Sequence, residues 1–89
     1  MRAVIWTAEA RANLIGVHDY IGQFSPLNAQ RFSLRLIKAV ESLAEFPDRG
    51  RPIGGGRDYT AIWPYIVRYR VTADAIIILR IRHGAQSSN

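Results

Sequence analysis

The chain has no cysteine, a single lysine and no long apolar run, and each shortage narrows what it can be. Without cysteine among its 89 residues it can build neither a disulfide framework nor a thiolate metal site, so packing alone must hold it, as suits a reducing cytoplasm. The longest apolar run, Ala75 to Leu79, falls far short of the roughly 20 residues that cross a bilayer. Residues 1–7 are too short for a signal peptide. These shortages lead to the expectation of a soluble, unexported, cytoplasmic protein that does not engage a membrane. Disorder is excluded as well, because 48% of the residues are hydrophobic and 21% charged, the balance of a globular chain. At this length one core is the expectation: a single domain over residues 1–83, followed by a short polar tail, 84–89, expected to fray.

The scarcity of lysine defines the charge. Twelve basic residues against seven acidic ones give a formal net charge of +5, and every basic residue but Lys38 is arginine. A planar guanidinium makes paired hydrogen bonds to carboxylate or phosphate, where lysine offers a point charge. The composition therefore suggests an anionic partner, although a codon bias toward arginine accounts for the total equally well. Position along the chain has to separate the two.

Arg2 to Trp6 is a short apolar run with two β-branched residues, and Thr7 follows as a helix cap with Glu9 in the first turn. Leu14, Val17 and Ile21 then recur at helical spacing to a helix end near Gln23. Ser25 followed by Pro26 is a second cap with a first-turn proline, so two helices form a hairpin. The second carries Ala29, Phe32, Leu36, Val40 and Leu43 on one stripe and is stopped by Pro47. The segment 47–56, PDRGRPIGGG, sustains neither helix nor central strand and reads as a loop. Three runs rich in aromatic and β-branched residues follow, Arg57 to Trp63, Tyr65 to Thr72 and Ile76 to His83. The expected fold is α+β in the order β-α-α-β-β-β, with a helical hairpin packed on one face of a small antiparallel sheet.

Alternation within the last two strands predicts their faces. A three-residue turn at Ala73, Asp74 and Ala75 sets Val71 opposite Ile77, Tyr69 opposite Leu79 and Val67 opposite Ile81, making one apolar face for the helices. It also sets Arg68 opposite Arg80 and Arg70 opposite Ile78, so that Arg68, Arg70, Arg80 and Arg82 gather on the other face. Like charges directly across a strand pair are destabilising by roughly 0.2–1 kcal/mol, so something should compensate. Either the face is simply solvated, its arginine stems lying over Ile76 and Ile78, or it is a partner-binding surface. In the second case Arg49, Arg51 and Arg57 join it if the loop folds over the sheet edge.

Ala10, Leu14 and Tyr20, then Ala29, Phe32 and Leu43, then Pro47, Gly50, Arg51 and Arg57, followed by PYIVRYRV (64–71) and IIILRIRHG (76–84), form a series that resembles the RelE/ParE toxins over nearly the whole chain. A Tyr65-Ile66-Val67-x-Tyr69 strand followed by a strand ending His83-Gly84 is similar to the ParE side of that family. The resemblance implies the toxin of a type II toxin-antitoxin system, with the strand, helical-hairpin and antiparallel-sheet architecture already read from pattern. It also implies a cognate antitoxin, usually with a ribbon-helix-helix DNA-binding part and an amphipathic tail that wraps the toxin.

Two activities occur among such proteins. ParE-like members poison DNA gyrase without a cofactor, whereas RelE-like members cut messenger RNA on the ribosome. A nuclease without metal needs a base, an acid and cations for the phosphate. Arg57, Arg80 and Arg82 with His83 are the candidate set here, His83 having a suitable titration range. Against it, nuclease members commonly carry an aromatic residue at or near the position after this histidine, where this chain has Gly84, Ala85 and Gln86. The loop 47–56 also lacks lysine. His83 reads equally well as a strand-end residue packed beside Tyr65. The expectation is a gyrase poison, with the ribosome-dependent nuclease and a non-toxic antitoxin-binding relic as alternatives.

Other constellations point nowhere. Gly54-Gly55-Gly56 lacks the Lys and Ser or Thr of a phosphate loop. His18 has no second histidine on its helix face, so no metal site is expected. Trp6 and Trp63, which would suit base stacking, are expected in the core.

Overall fold

The computed structural model describes residues 1–84, so the expected tail lies, Gly84 apart, outside the described residues. The elements are β1 (Ala3–Trp6), α1 (Ala8–Gly22), α2 (Pro26–Glu41), a single 3-10 turn (Ser42–Ala44), β2 (Arg51–Ile53), β3 (Gly56–Ile62), β4 (Tyr65–Val71) and β5 (Ala75–His83). Both helix caps form where the sequence puts them. The Thr7 hydroxyl accepts from the Ala10 N–H at 3.1 Å, and the Ser25 hydroxyl accepts from the Asn28 N–H at 3.1 Å with Pro26 opening α2. Each such cap is worth about 1 kcal/mol. The α-helical part of α2 ends at Glu41, ahead of Pro47, and the 3-10 turn that follows carries Leu43 into the core.

The strands form one five-stranded sheet in the order β1-β5-β4-β3-β2, and three details differ from the sequence reading. The sheet is mixed, because β1 runs parallel to β5 with Ala3 opposite Ala75 and Trp6 opposite Ile78; the helical hairpin and the β2–β4 strands intervene between them. The segment 47–56 is not wholly loop. Arg51–Ile53 is an edge strand paired antiparallel to β3, a place that tolerates Pro52 because no further strand needs its missing N–H. Gly55, at φ 83°, supplies the left-handed residue that the tight turn into β3 demands.

The third difference is the register of β4 and β5. Val67 faces Ile81 and Arg68 faces Arg80, as alternation predicts, but Tyr69 faces Ile78, Arg70 faces Ile77 and Val71 faces Ile76. The turn is not the three residues Ala73, Asp74 and Ala75 but the two residues Ala73 and Asp74, with Ala75 already in β5 and its carbonyl accepting from the Thr72 N–H at 2.8 Å. That shorter turn moves the pairing next to it by one residue, and a β-bulge at Leu79 restores the predicted register beyond. The neighbouring element stabilises the bulge. The single proton of the Thr7 hydroxyl is within reach of the carbonyls of both Ile78 (2.7 Å) and Leu79 (3.1 Å), a shared bond, although successive carbonyls of a regular strand point to opposite sides. Thr7 thus begins α1 and stabilises the bulge at once. Ile76 and Ile78, rather than Ile77 and Leu79, are the fully buried pair. With Val67, Tyr69 and Ile81 they meet Ala10, Leu36 and Val40 of the helices in the core.

Further along β5, β1 has ended and the strand edge is open. Asn13 of α1 closes part of it, its side-chain oxygen accepting from the Ile81 N–H at 2.9 Å. Trp63, expected in the core, stands at the β3–β4 turn with 71% of its surface exposed. The edge of its ring lies 3.5 Å from where a Cβ on Gly84 would stand, close to Ile66 of β4.

Candidate functional site

On the sheet face away from the helices, one row of residues crosses four strands. Arg51 pairs with Asp58, Asp58 with Arg68, and Arg68 with Arg80. The compensation that the facing arginines require comes from Asp58, which sequence reasoning missed. Arg68 grips it at two points, Nε to Oδ1 at 2.9 Å and Nη2 to Oδ2 at 3.1 Å. Arg82 adds a third contact, Nη2 to Oδ2 at 3.3 Å. Asp58 is 7% exposed, and the side chains of Arg68 and Arg82 keep 28% and 15% of their surface. The hydrogen bonds from Arg68 hold the Asp58 carboxyl below its ordinary value, against the upward push of burial, and the Arg82 contact works in the same direction. The same pairing raises Arg68. A signal was present in the sequence: aspartate is depleted in strands, so one between Arg57 and Tyr59 requires a cation opposite it.

The predicted basic residues therefore separate into groups. Arg51 and Arg70 are exposed and Arg80 half-buried, and among the described residues none of the three meets a carboxylate. Arg68 and Arg82 are held by Asp58. Arg49 and Arg57 do not join this face. The Arg49 guanidinium lies 4.7 Å from the Phe46 ring centroid and donates to the Ser42 hydroxyl at 3.1 Å. Arg57 faces Tyr69 in register, hence on the helix side, where it donates to the Gly50 carbonyl at 2.6 Å and pairs with the Asp48 carboxylate at 3.3 Å.

That Arg57 contact belongs to a clasp, also missed from sequence, which fixes the loop ahead of β2. The buried Tyr69 hydroxyl donates to the Pro47 carbonyl at 2.7 Å and accepts from the Gly50 N–H at 2.8 Å. Burial pushes the phenol above its ordinary value, against the opposing pull of the Gly50 N–H. Gly50 has to be glycine, since a Cβ there would stand 2.7 Å from the Tyr69 ring and hydroxyl.

The four residues of the nuclease reading are not brought together. His83 faces Tyr65 in register and meets its ring edge-on at 5.2 Å, at the end of the helix-side face. Arg57 lies on that face too, but opposite Tyr69, four residues and therefore about 13 Å along β4. Arg80 and Arg82 occupy the other face. His83 lines a cleft of about 400 Å³ with Asn13, Tyr20 and Tyr65, and no carboxylate there orients its ring. Its Nδ1 is buried without a hydrogen-bond partner among the described residues. Among the described residues no group of three His, Cys, Asp or Glu side chains gathers as a metal site, and no helix is long and apolar enough to cross a membrane.

A helical hairpin on one face of a mixed sheet, an arginine row on the other and a C-terminal strand ending in His-Gly define a small toxin of the RelE/ParE type. The chain belongs to the ParE toxin family of type II toxin-antitoxin systems, whose pattern it matches over residues 4–88. It is 49% identical to Toxin RelE2 of Caulobacter vibrioides over 87 residues, 97% of this chain and 99% of that one. Its fold is similar to that of a chain from the chromosomal ParDE system of P. aeruginosa, with a TM-score of 0.80 and 30% identity over 93% of this chain and 96% of that one. As the toxin half of a paired system, it has an antitoxin as one partner.

Proposed function

We propose that this toxin poisons DNA gyrase, without a cofactor and without catalysis of its own, by holding the enzyme in its cleaved-DNA state. Direct binding of a ribbon-helix-helix antitoxin silences it in the cytoplasm. The observation that carries this reading is the division of Arg57, Arg80, Arg82 and His83 between opposite faces of the sheet. A metal-free nuclease needs its base, acid and phosphate-holding cations within reach of one scissile phosphate, and two faces of one sheet do not provide that. Membership of the ParE family points the same way. For the antitoxin, Ile15, Tyr20, Phe24, Leu27 and Leu34 of the helical hairpin are exposed large apolar residues, suited to the apolar side of an amphipathic tail.

Two assays test the proposal: purified gyrase with supercoiled plasmid, and translating ribosomes with a labelled message, each with the toxin added. Linearised plasmid that accumulates with toxin and disappears when antitoxin is supplied is the expected result. Message cleavage with gyrase unaffected would assign the RelE activity instead, and inertness in both assays with intact antitoxin binding would assign a non-toxic relic.

A further inference from the structure

The excess charge of the chain is concentrated on one surface. Five arginines, Arg51, Arg68, Arg70, Arg80 and Arg82, lie on the sheet face away from the helices, and Asp58 is the one carboxylate at a strand position among the described residues. Glu9, Asp19 and Glu41 belong to the helices, Glu45 and Asp48 to the segment after them, and Asp74 to the β4–β5 turn. Asp58 is itself buried and already gripped by Arg68 and Arg82. It fixes the position of two guanidinium groups without neutralising the other three.

We propose that this arginine face is a track for the phosphate backbone of duplex DNA, with Arg51, Arg70 and Arg80 contacting phosphates and Asp58 acting as the positioning residue for Arg68 and Arg82. The row from Arg51 to Arg80 spans three strand-to-strand steps, about 14 Å at the usual strand spacing. That length matches roughly four nucleotides of duplex measured along its axis, at about 3.4 Å per step. Guanidinium is suited to the contact because it reaches two phosphate oxygens at once. The character of the rest of the face selects a duplex. Tyr59, Tyr65, Tyr69 and Trp6 are packed toward the helices, and the exposed Trp63 stands at the β3–β4 end of the sheet beside Gly84 and Ile66. The arginine row itself therefore carries no run of aromatic platforms on which successive bases of a single strand would stack. No aromatic side chain stands at the centre of the row, where a protein hot spot usually has its anchor. A grip on backbone charge alone is independent of sequence. The inference extends the gyrase reading by naming the enzyme's DNA as the source of the phosphates, but the grip itself needs no gyrase.

The test is fluorescence anisotropy of the full-length toxin, freed of antitoxin, with a labelled duplex of about 20 base pairs across a salt series. Binding at low salt should weaken with a log–log slope of about −2.7, the value for three phosphates neutralised. The triple variant R51Q/R70Q/R80Q should lose at least about tenfold in affinity and flatten the slope by about 2.7, at 0.9 per phosphate contact. A control removing the same charge from α2, R31Q/R35Q/K38Q, should leave the slope unchanged, and circular dichroism should show both variants folded. Absence of duplex binding at low salt, equal losses in the two triple variants, or tighter binding of single-stranded RNA or DNA than of duplex would each overturn the proposal. The two readings fail separately. Gyrase poisoning without DNA binding sinks the track alone, and DNA binding without poisoning sinks the gyrase assignment alone.

Discussion

Asp58 and Arg68 stand opposite one another on neighbouring strands and meet as a two-point ion pair, at 2.9 and 3.1 Å, on the face of the sheet that the helices leave open. The pair converts what would be a repulsive crossing of Arg68 and Arg80 into an ordered surface. It also makes the fold of a basic protein depend on one carboxylate.

Replacing Asp58 by Asn should therefore destabilise the protein by about 1–3 kcal/mol at neutral pH, less than for a fully buried pair because both arginines keep part of their surface in water. The effect should depend on acid. The folded-state carboxyl lies below its ordinary value of 3.8, so its stabilisation is complete above that pH and is lost as pH falls through the lowered value. Urea midpoints of the two proteins, followed from pH 7 downward, should converge below about pH 4. A gap that persists undiminished to the lowest measurable pH would remove the ion pair as its cause.

Tyr69→Phe takes one hydroxyl from a buried clasp and leaves both the Gly50 N–H and the Pro47 carbonyl without their partner. A loss of about 1–3 kcal/mol follows from the cost of buried unsatisfied groups, with faster amide exchange at Gly50. The raised phenol pKa gives an alkaline counterpart. Stability supplied by the protonated phenol is complete below its ordinary value of 10.0 and declines as pH rises toward the folded-state value. The Phe variant should lack that decline.

Gly50→Ala should be damaging by a different route, since the added methyl would enter the space of the Tyr69 ring and hydroxyl at 2.7 Å. Overpacking of this kind costs about 1–3 kcal/mol. Combining it with Tyr69→Phe should give less than the sum of the two losses, because both break the same clasp. Full additivity in chemical denaturation would show that the two residues act independently.

Thr7→Ala removes both the cap of α1 and the hydroxyl that bonds the two bulge carbonyls. Its cost should exceed the roughly 1 kcal/mol of an ordinary cap loss, whereas Ser25→Ala, which removes only a cap, should stay near that value. Thr7→Ser keeps the hydroxyl and should recover most of the stability. Amide exchange at Leu79 and Arg80 is the local readout.

The elements other than β2 were legible from the chain. Thr7 and Ser25 announce their helices, Pro26 can open a helix but not sit inside one, and the alternation of Tyr65, Val67 and Tyr69 with Arg68 and Arg70 assigns the two faces of β4, because caps and side-chain period are local properties of the backbone. The arginine row was visible in the same way, through Arg68 opposite Arg80.

What the chain alone did not decide were matters settled by contacts between distant segments. The run Ile76-Ile77-Ile78-Leu79 is apolar at every position, so either parity buries a good core residue. The two-residue turn at Ala73 and Asp74 put Ile76 and Ile78 on the core side, and Thr7, more than seventy positions away, stabilises the bulge that follows. Whether the arginines of β4 and β5 stood free or were held depended on Asp58 of β3, and the path of the loop at 47–50 depended on a phenol from β4. Local pattern thus determined the helices, the long strands and the faces of β4, while the edge strand β2, register at the bulge, charge pairing across strands and closure of the loop came only from tertiary structure, because each rests on polar groups that meet only once the chain has folded.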